Sequence, residues 1–223
     1  MIAGVALGAA AGLDRTAFGQ TLLAHPFVAT LVSGLLAGNA TESVPAALVL
    51  WMLSVSRVPV GETRVRDWTS AAVAIPWCVR GTSDPAAWAV AAGVVVLVAL
   101  AGGRAVEGVR EIARGSIDRW RGTPPQDRRG PLRLHLGLTA LHAARGALVV
   151  AVGIVIGRSA VDRALAALPA GTSGVLAEIW ALAPLALLPL LWRVHAGWGR
   201  PRRQWALMAS AAAVTVALTW GLS

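Results

Sequence analysis

Few residues in this chain are equipped for chemistry, and their spacing argues against most kinds of it. The four histidines, His25, His135, His142 and His195, are scattered, and none forms an i, i+4 pair with another ligand type at metal spacing. One cysteine, Cys78, excludes an intrachain disulfide and any multi-cysteine metal site. There is no GxxxxGK[ST] loop and no GxGxxG after a strand, so no nucleotide cradle is visible. The sequence thus predicts no catalytic residue, no metal and no cofactor, and a self-contained enzyme is a poor reading. Polar groups embedded in apolar sequence are more telling, because an ionisable or hydrogen-bonding side chain at membrane depth is costly unless it is used. His142 and Arg145 are of this kind, sharing one apolar stretch, and Trp51 lies inside an apolar run.

The elements that must position these residues are set by composition. Of the 223 residues 56% are apolar and 14% charged, with a mean hydropathy of +0.64. Soluble globular chains sit near 45–50% apolar and about 25% charged. Disordered, disulfide-stapled and ordinary soluble classes are excluded, and a helical integral membrane protein is predicted. All 20 basic residues are arginine, against 11 acidic ones, for a net charge of +9. They cluster beside apolar segments rather than along one polar face. They therefore read as flanks of membrane spans meeting anionic lipid headgroups, not as a nucleic-acid surface. Met1–Gly12 is apolar without a basic leader and is read as a retained segment rather than a signal peptide.

Along the chain, Met1–Leu13 is apolar, is interrupted by Asp14 and Arg15, and resumes through Ala17–Ala24. The charged pair either neutralises itself or a neighbour inside the bundle, or sits at a helix end. Phe27–Gly38 is too short to span, Val44–Val60 is broken by Arg57 and Pro59, and Thr69–Val79 contains Pro76. Short segments interrupted by glycine or proline are the pattern of broken or re-entrant helices around a cavity. Ala86–Ala101 is a full span, and the amphipathic Arg104–Gly122 extends it as an interfacial or cytoplasmic helix. Thr123–Arg133, with Pro124-Pro125 and Gly130-Pro131, reads as a polar loop between a membrane half at 1–122 and another at 134–223. His135–Ile156 is the next span. Ser159–Leu168 is a short amphipathic piece ended by Pro169, followed by spans at Val175–Val194 and Trp205–Leu222. The arginines of 104–133 and 193–203 fall on one side, which the positive-inside bias makes the cytoplasm. Small-residue stripes, Gly4/Gly8/Gly12, Gly34/Gly38 and Gly153/Gly157, allow close helix approach. Trp68, Trp77, Trp120, Trp198 and Trp205 lie near segment ends, where indoles favour headgroups. The predicted fold class is all-α: a polytopic integral membrane protein with broken or re-entrant helices in its N-terminal third.

The stretch from Asp14 to Asp67 resembles the start of a IIC subunit of the mannose/sorbose branch of the bacterial phosphotransferase system. The resemblance is carried by Asp14-Arg15-Thr16-Ala17-Phe18-Gly19-Gln20, by the step His25-Pro26-Phe27-Val28, by the turn Gly38-Asn39, and by Val60-Gly61 leading to Asp67. It implies a membrane subunit that passes a hexose inward in company with a IID membrane subunit, for phosphorylation by a cytoplasmic IIB protein. It also implies a bacterial inner-membrane location and an oligomer. The resemblance assigns substrate contacts to Gln20 and Asn39 as hydroxyl partners, to Trp51 as a stacking wall and to Asp67 as a hydroxyl acceptor. Each has a structural use as well: Gln20 and Asn39 can satisfy backbone at helix breaks, Trp51 can fill the core, and Asp67 can pair with Arg64. The chain departs from the family where Trp51 stands at a glutamate position, Pro59 at an asparagine and Asn39 at the aspartate of a Gly-Asp turn. These departures leave a second expectation, a transport-deficient relative with an interaction or regulatory role. The basic Arg104–Arg133 region is expected to meet anionic lipids or the IIB protein.

Overall fold

The computed structural model describes residues 1–14, 22–55, 66–82, 84–121, 130–169 and 171–196. Within them the chain is all-helical, with α1 (Ile2–Asp14), α2 (Pro26–Ala37), α3 (Ser43–Val55), α4 (Trp68–Cys78), α5 (Pro85–Arg121), α6 (Gly130–Ala167) and α7 (Thr172–Ala196), and no strand. Gln20, Arg15, Arg64 and the segment Trp205–Leu222 lie outside the described residues.

Two length classes stand side by side. Helices α1 to α4 have 11–13 residues each, about 17–20 Å of helix, well under the roughly 30 Å of a bilayer's hydrocarbon core. Helices α5 and α6 have 37 and 38 residues and are long and apolar enough to cross a membrane. They run antiparallel: Gly102 faces Val149, and Gly153 faces Val98.

Local chemistry sets the breaks. Pro26 opens α2, where its missing N–H costs nothing. Gly38 closes the same helix at φ 84°, with its N–H donated to the carbonyls of Gly34 and Leu35. Asp67 caps α4 by accepting from the N–H of Ser70 at 3.1 Å. Asp84 caps α5 by accepting from the N–H of Ala86 at 2.8 Å.

The core is centred on α4, every residue of which is buried. It is wrapped by α2, α5 and α6, with α1 and α3 behind. Small residues let the backbones close. A Cβ on Gly8 would meet the carbonyl of Gly146 at 2.9 Å, and one on Gly12 the carbonyl of His142 at 2.7 Å. The glycine stripe of α1 is thus the face that crosses α6. Gly153 packs on Val98 and Ala74, and Gly157 on Cys78. A stacked pair, Trp88 and Trp180 at 6.3 Å, joins α5 to α7.

Three local expectations are corrected. Ser159–Leu168 is not a separate piece, because α6 runs unbroken to Ala167. Gly157 serves close packing there rather than a break. Gly130 and Pro131 are not loop but the first turn of α6, a place where proline fits a helix. Trp68 and Trp77, at the two ends of α4, do not face outward as headgroup anchors; they are 7% and 3% exposed and belong to the core.

Candidate functional site

Four helix ends meet at one level of the molecule. Gly12, near the end of α1, lies against the carbonyl of His142 on α6. One turn on, Arg145 Nη1 donates to Asp67 Oδ2 at 2.5 Å, at the start of α4. Thr69 Oγ1, in the first turn of α4, donates to the Ala24 carbonyl at 2.6 Å, just before α2. His25 next to it faces Trp51 at 6.4 Å between ring centroids, in the last turns of α3, and Phe27 meets Trp51 edge-on at 6.3 Å. The end of α1, the starts of α2 and α4 and the end of α3 are therefore linked through the middle of the apolar stretch of α6.

Asp67 and Arg145 dominate this level. Their side chains are 1% and 4% exposed. Asp67 Oδ1 accepts from the Ser70 N–H, and Oδ2 accepts from Ser70 Oγ at 2.7 Å and from Arg145. The Asp67 N–H donates to the Ala99 carbonyl of α5 at 2.8 Å. The pair fits only because Gly102 has no side chain, since a Cβ there would meet Asp67 Cβ at 2.7 Å. A carboxylate and a guanidinium withdrawn from solvent need this many partners, because an unpaired buried charge costs several kcal/mol. The pair sits less than a turn before Arg104, the residue at which α5 changes from apolar to charged.

Two polar atoms beside the pair are left over. Among the described residues neither Arg145 Nε nor His142 Nδ1 has a hydrogen-bond partner, and both atoms are buried. The two residues are three apart on α6 and so share a face.

The predicted site residues are divided between the two ends of the short helices. Trp51, half-buried, and Asp67 lie on the level just described. Asn39 lies at the opposite end, in the turn between α2 and α3. There its Nδ2 donates to the Pro76 carbonyl at 2.9 Å, one of the last carbonyls of α4 with no partner inside the helix. Asn39 and Asp67 are thus separated by the rise from Asp67 to Pro76 along α4, about 14 Å. Gln20 lies outside the described residues. Asp67 pairs with Arg145 on α6, 78 residues away. The sequence sets Arg145 and His142 inside one apolar stretch without joining them to the site. The signal was present, as charge within an apolar stretch, but nothing local names the partner.

Among the described residues no cluster of three or more His, Cys, Asp or Glu is placed to hold a metal ion. Compared with protein-family models and with curated proteins, the chain matches none.

Proposed function

We propose that the chain is a sugar-translocating membrane subunit of the IIC type, embedded by several spans in a bacterial cytoplasmic membrane. It passes a hexose inward to a cytoplasmic IIB protein. The observation that supports this reading is the meeting of four short-helix ends around a buried polar set. In carriers, interrupted helices place N-terminal dipoles and unpaired backbone groups at a substrate site inside the bilayer. Here the starts of α2 and α4 supply such ends, Thr69, Ser70, Asp67 and Arg145 supply polar groups, and Trp51 with His25 and Phe27 supplies an aromatic wall for an apolar sugar face. The chain works beside a IID membrane subunit in an oligomer. The exposed arginines of the far half of α5, Arg104, Arg110 and Arg114 among them, face anionic lipid and the IIB protein.

One observation favours a second reading, a IIC-like protein that has lost transport and keeps an interaction role. Asp67 already serves Arg145 and Ser70, and Trp51 offers one N–H donor where the resembled family has a carboxylate. Uptake of labelled hexoses by cells producing the chain with a IID-type partner separates the two. Hexose uptake that disappears with Gln20→Ala supports the carrier. No uptake of any hexose, with both proteins in the membrane, favours the second reading.

A further inference from the structure

We propose that Arg145 Nε and His142 Nδ1 together form a subsite for one hydroxyl group of the transported sugar, at the crossing of α1 and α6. The inference rests on the carrier reading and adds to it two residues that the resemblance does not assign. Two buried polar atoms without partners, one helical turn apart, are a standing cost unless a ligand satisfies both. Arg145 Nε can only donate. His142 Nδ1 donates or accepts according to its tautomer. A hydroxyl both accepts and donates, so it answers the arginine and either tautomer of the histidine at once. An ammonium group cannot accept from Arg145, and an apolar group serves neither atom.

The surroundings hold the guanidinium and the backbone of His142 in place. The bond from Nη1 to Asp67 fixes the guanidinium, and Asp67 is itself held by Ser70 and by the Ala99 carbonyl. The carbonyl of His142 lies against Gly12, where α1 has no side chain. The subsite is therefore preorganised on the side where Asp67 is already committed. Arg145 does two jobs: Nη1 neutralises Asp67, and Nε reads the substrate.

The test uses the full chain in lipid nanodiscs and equilibrium dialysis with tritiated mannose, glucose and fructose, then the monodeoxy derivatives of whichever binds best. In the wild type, one deoxy derivative is expected to bind about tenfold more weakly than its parent sugar. His142→Gln moves the polar group away from the Nδ1 position, and Arg145→Lys keeps a cation for Asp67 but has no Nε–H. Each is expected to bind the parent sugar about as weakly as that deoxy derivative and to lose the discrimination between them. His142→Asn, whose amide occupies the place of Nδ1, retains the discrimination. Where Arg145→Lys does not fold, the His142 Nδ1 resonance of 15N-histidine-labelled wild type reads the same contact. It shifts with the parent sugar and not with the deoxy derivative. Hexose binding with full discrimination in His142→Gln and Arg145→Lys, or an unmoved His142 resonance, overturns the subsite and leaves the carrier reading standing. A wild-type chain that binds none of the three hexoses overturns the carrier reading and the subsite with it.

Discussion

Helix α4 and the far half of α5 are both regular helices, and they are held by opposite means. All of α4 is buried, and polar bonds from other elements secure it. Asp67 caps its start, Arg145 holds the cap, and Asn39 takes the Pro76 carbonyl. Within the helix, Ser33 Oγ donates to the Val73 carbonyl at 2.6 Å while accepting from Trp77 Nε1 at 2.9 Å. In the far half of α5 no residue beyond Val109 is buried, and on α6 none before Arg145 is. That stretch of α5 carries its charges along the helix, as in the exposed Arg104–Glu107 and Arg121–Asp118 pairs at 4.0 and 3.9 Å. Such pairs contribute little to stability. A short helix without an amphipathic stripe exists because its surroundings demand it, whereas the outer helix exists through its own propensity and length.

The widest separation between the two regions lies at the ion pair. Asp67→Ala leaves a guanidinium buried without its counter-ion and is expected to destabilise the chain by about 3–5 kcal/mol. Pairing it with Arg145→Met removes the stranded charge, and the double variant is expected to be more stable than Asp67→Ala alone. Thermal unfolding of the purified chain in detergent reads both. A double variant no better than the single would mean that Asp67 matters as the cap of α4 rather than as the partner of Arg145.

The extent to which these regions are legible in sequence follows the same division. The far half of α5 writes its structure locally: Val106, Val109, Ala113, Ile117 and Trp120 recur at helical spacing, and the helix runs to Arg121 as that pattern requires. The ends of α2 are legible as interruptions, because Pro26 and Gly38 act on their own backbone, whereas Pro76 is carried inside α4. The assembly of the short helices is not legible. Trp68 and Trp77 carry the composition of an interfacial anchor and end in the core; Trp77 does so where α2 offers Ser33 and α1 offers Gly4. Asn39 is expected to meet either a sugar hydroxyl or backbone at a helix break, and that the backbone it meets is the end of α4 is set by docking rather than by local sequence. The bond between Asp67 and Arg145 depends on how α4 docks on α6, which no window of sequence contains.

Glycine sharpens the comparison at an intermediate size of effect. Gly146 lies where α6 meets the backbone of α1, and a Cβ there would clash with the carbonyl of Gly8, with Gly12 Cα at 3.2 Å. Backbone cannot move aside as a flexible side chain does. Gly146→Ala is therefore expected to cost about 1–3 kcal/mol through overpacking. It is also expected to loosen α1 selectively, seen as faster amide exchange in Ile2–Asp14 than in α5. Uniformly unchanged exchange would show that α1 and α6 can part without loss.

The smallest effect has the opposite sign. Gly115 lies in the exposed half of α5, and a Cβ there would meet nothing within 4 Å. Its side-chain partner, Arg119 Nε, reaches the backbone carbonyl and does not depend on the residue type, and its helical conformation is not one that only glycine can adopt, so the missing side chain merely adds freedom to the unfolded chain. Gly115→Ala is expected to stabilise the chain by about 0.4–1 kcal/mol, the entropy that alanine removes from the unfolded state. The same exchange of residue types thus weakens one part of the protein and strengthens the other, through packing at Gly146 and through backbone entropy at Gly115. Unfolding of both variants side by side in detergent measures the sign directly. Destabilisation by Gly115→Ala would mean that the far half of α5 is packed against something in the measured particle, most directly a second copy of the chain. A shift in oligomeric mass between Gly115→Ala and wild type would then identify the contact.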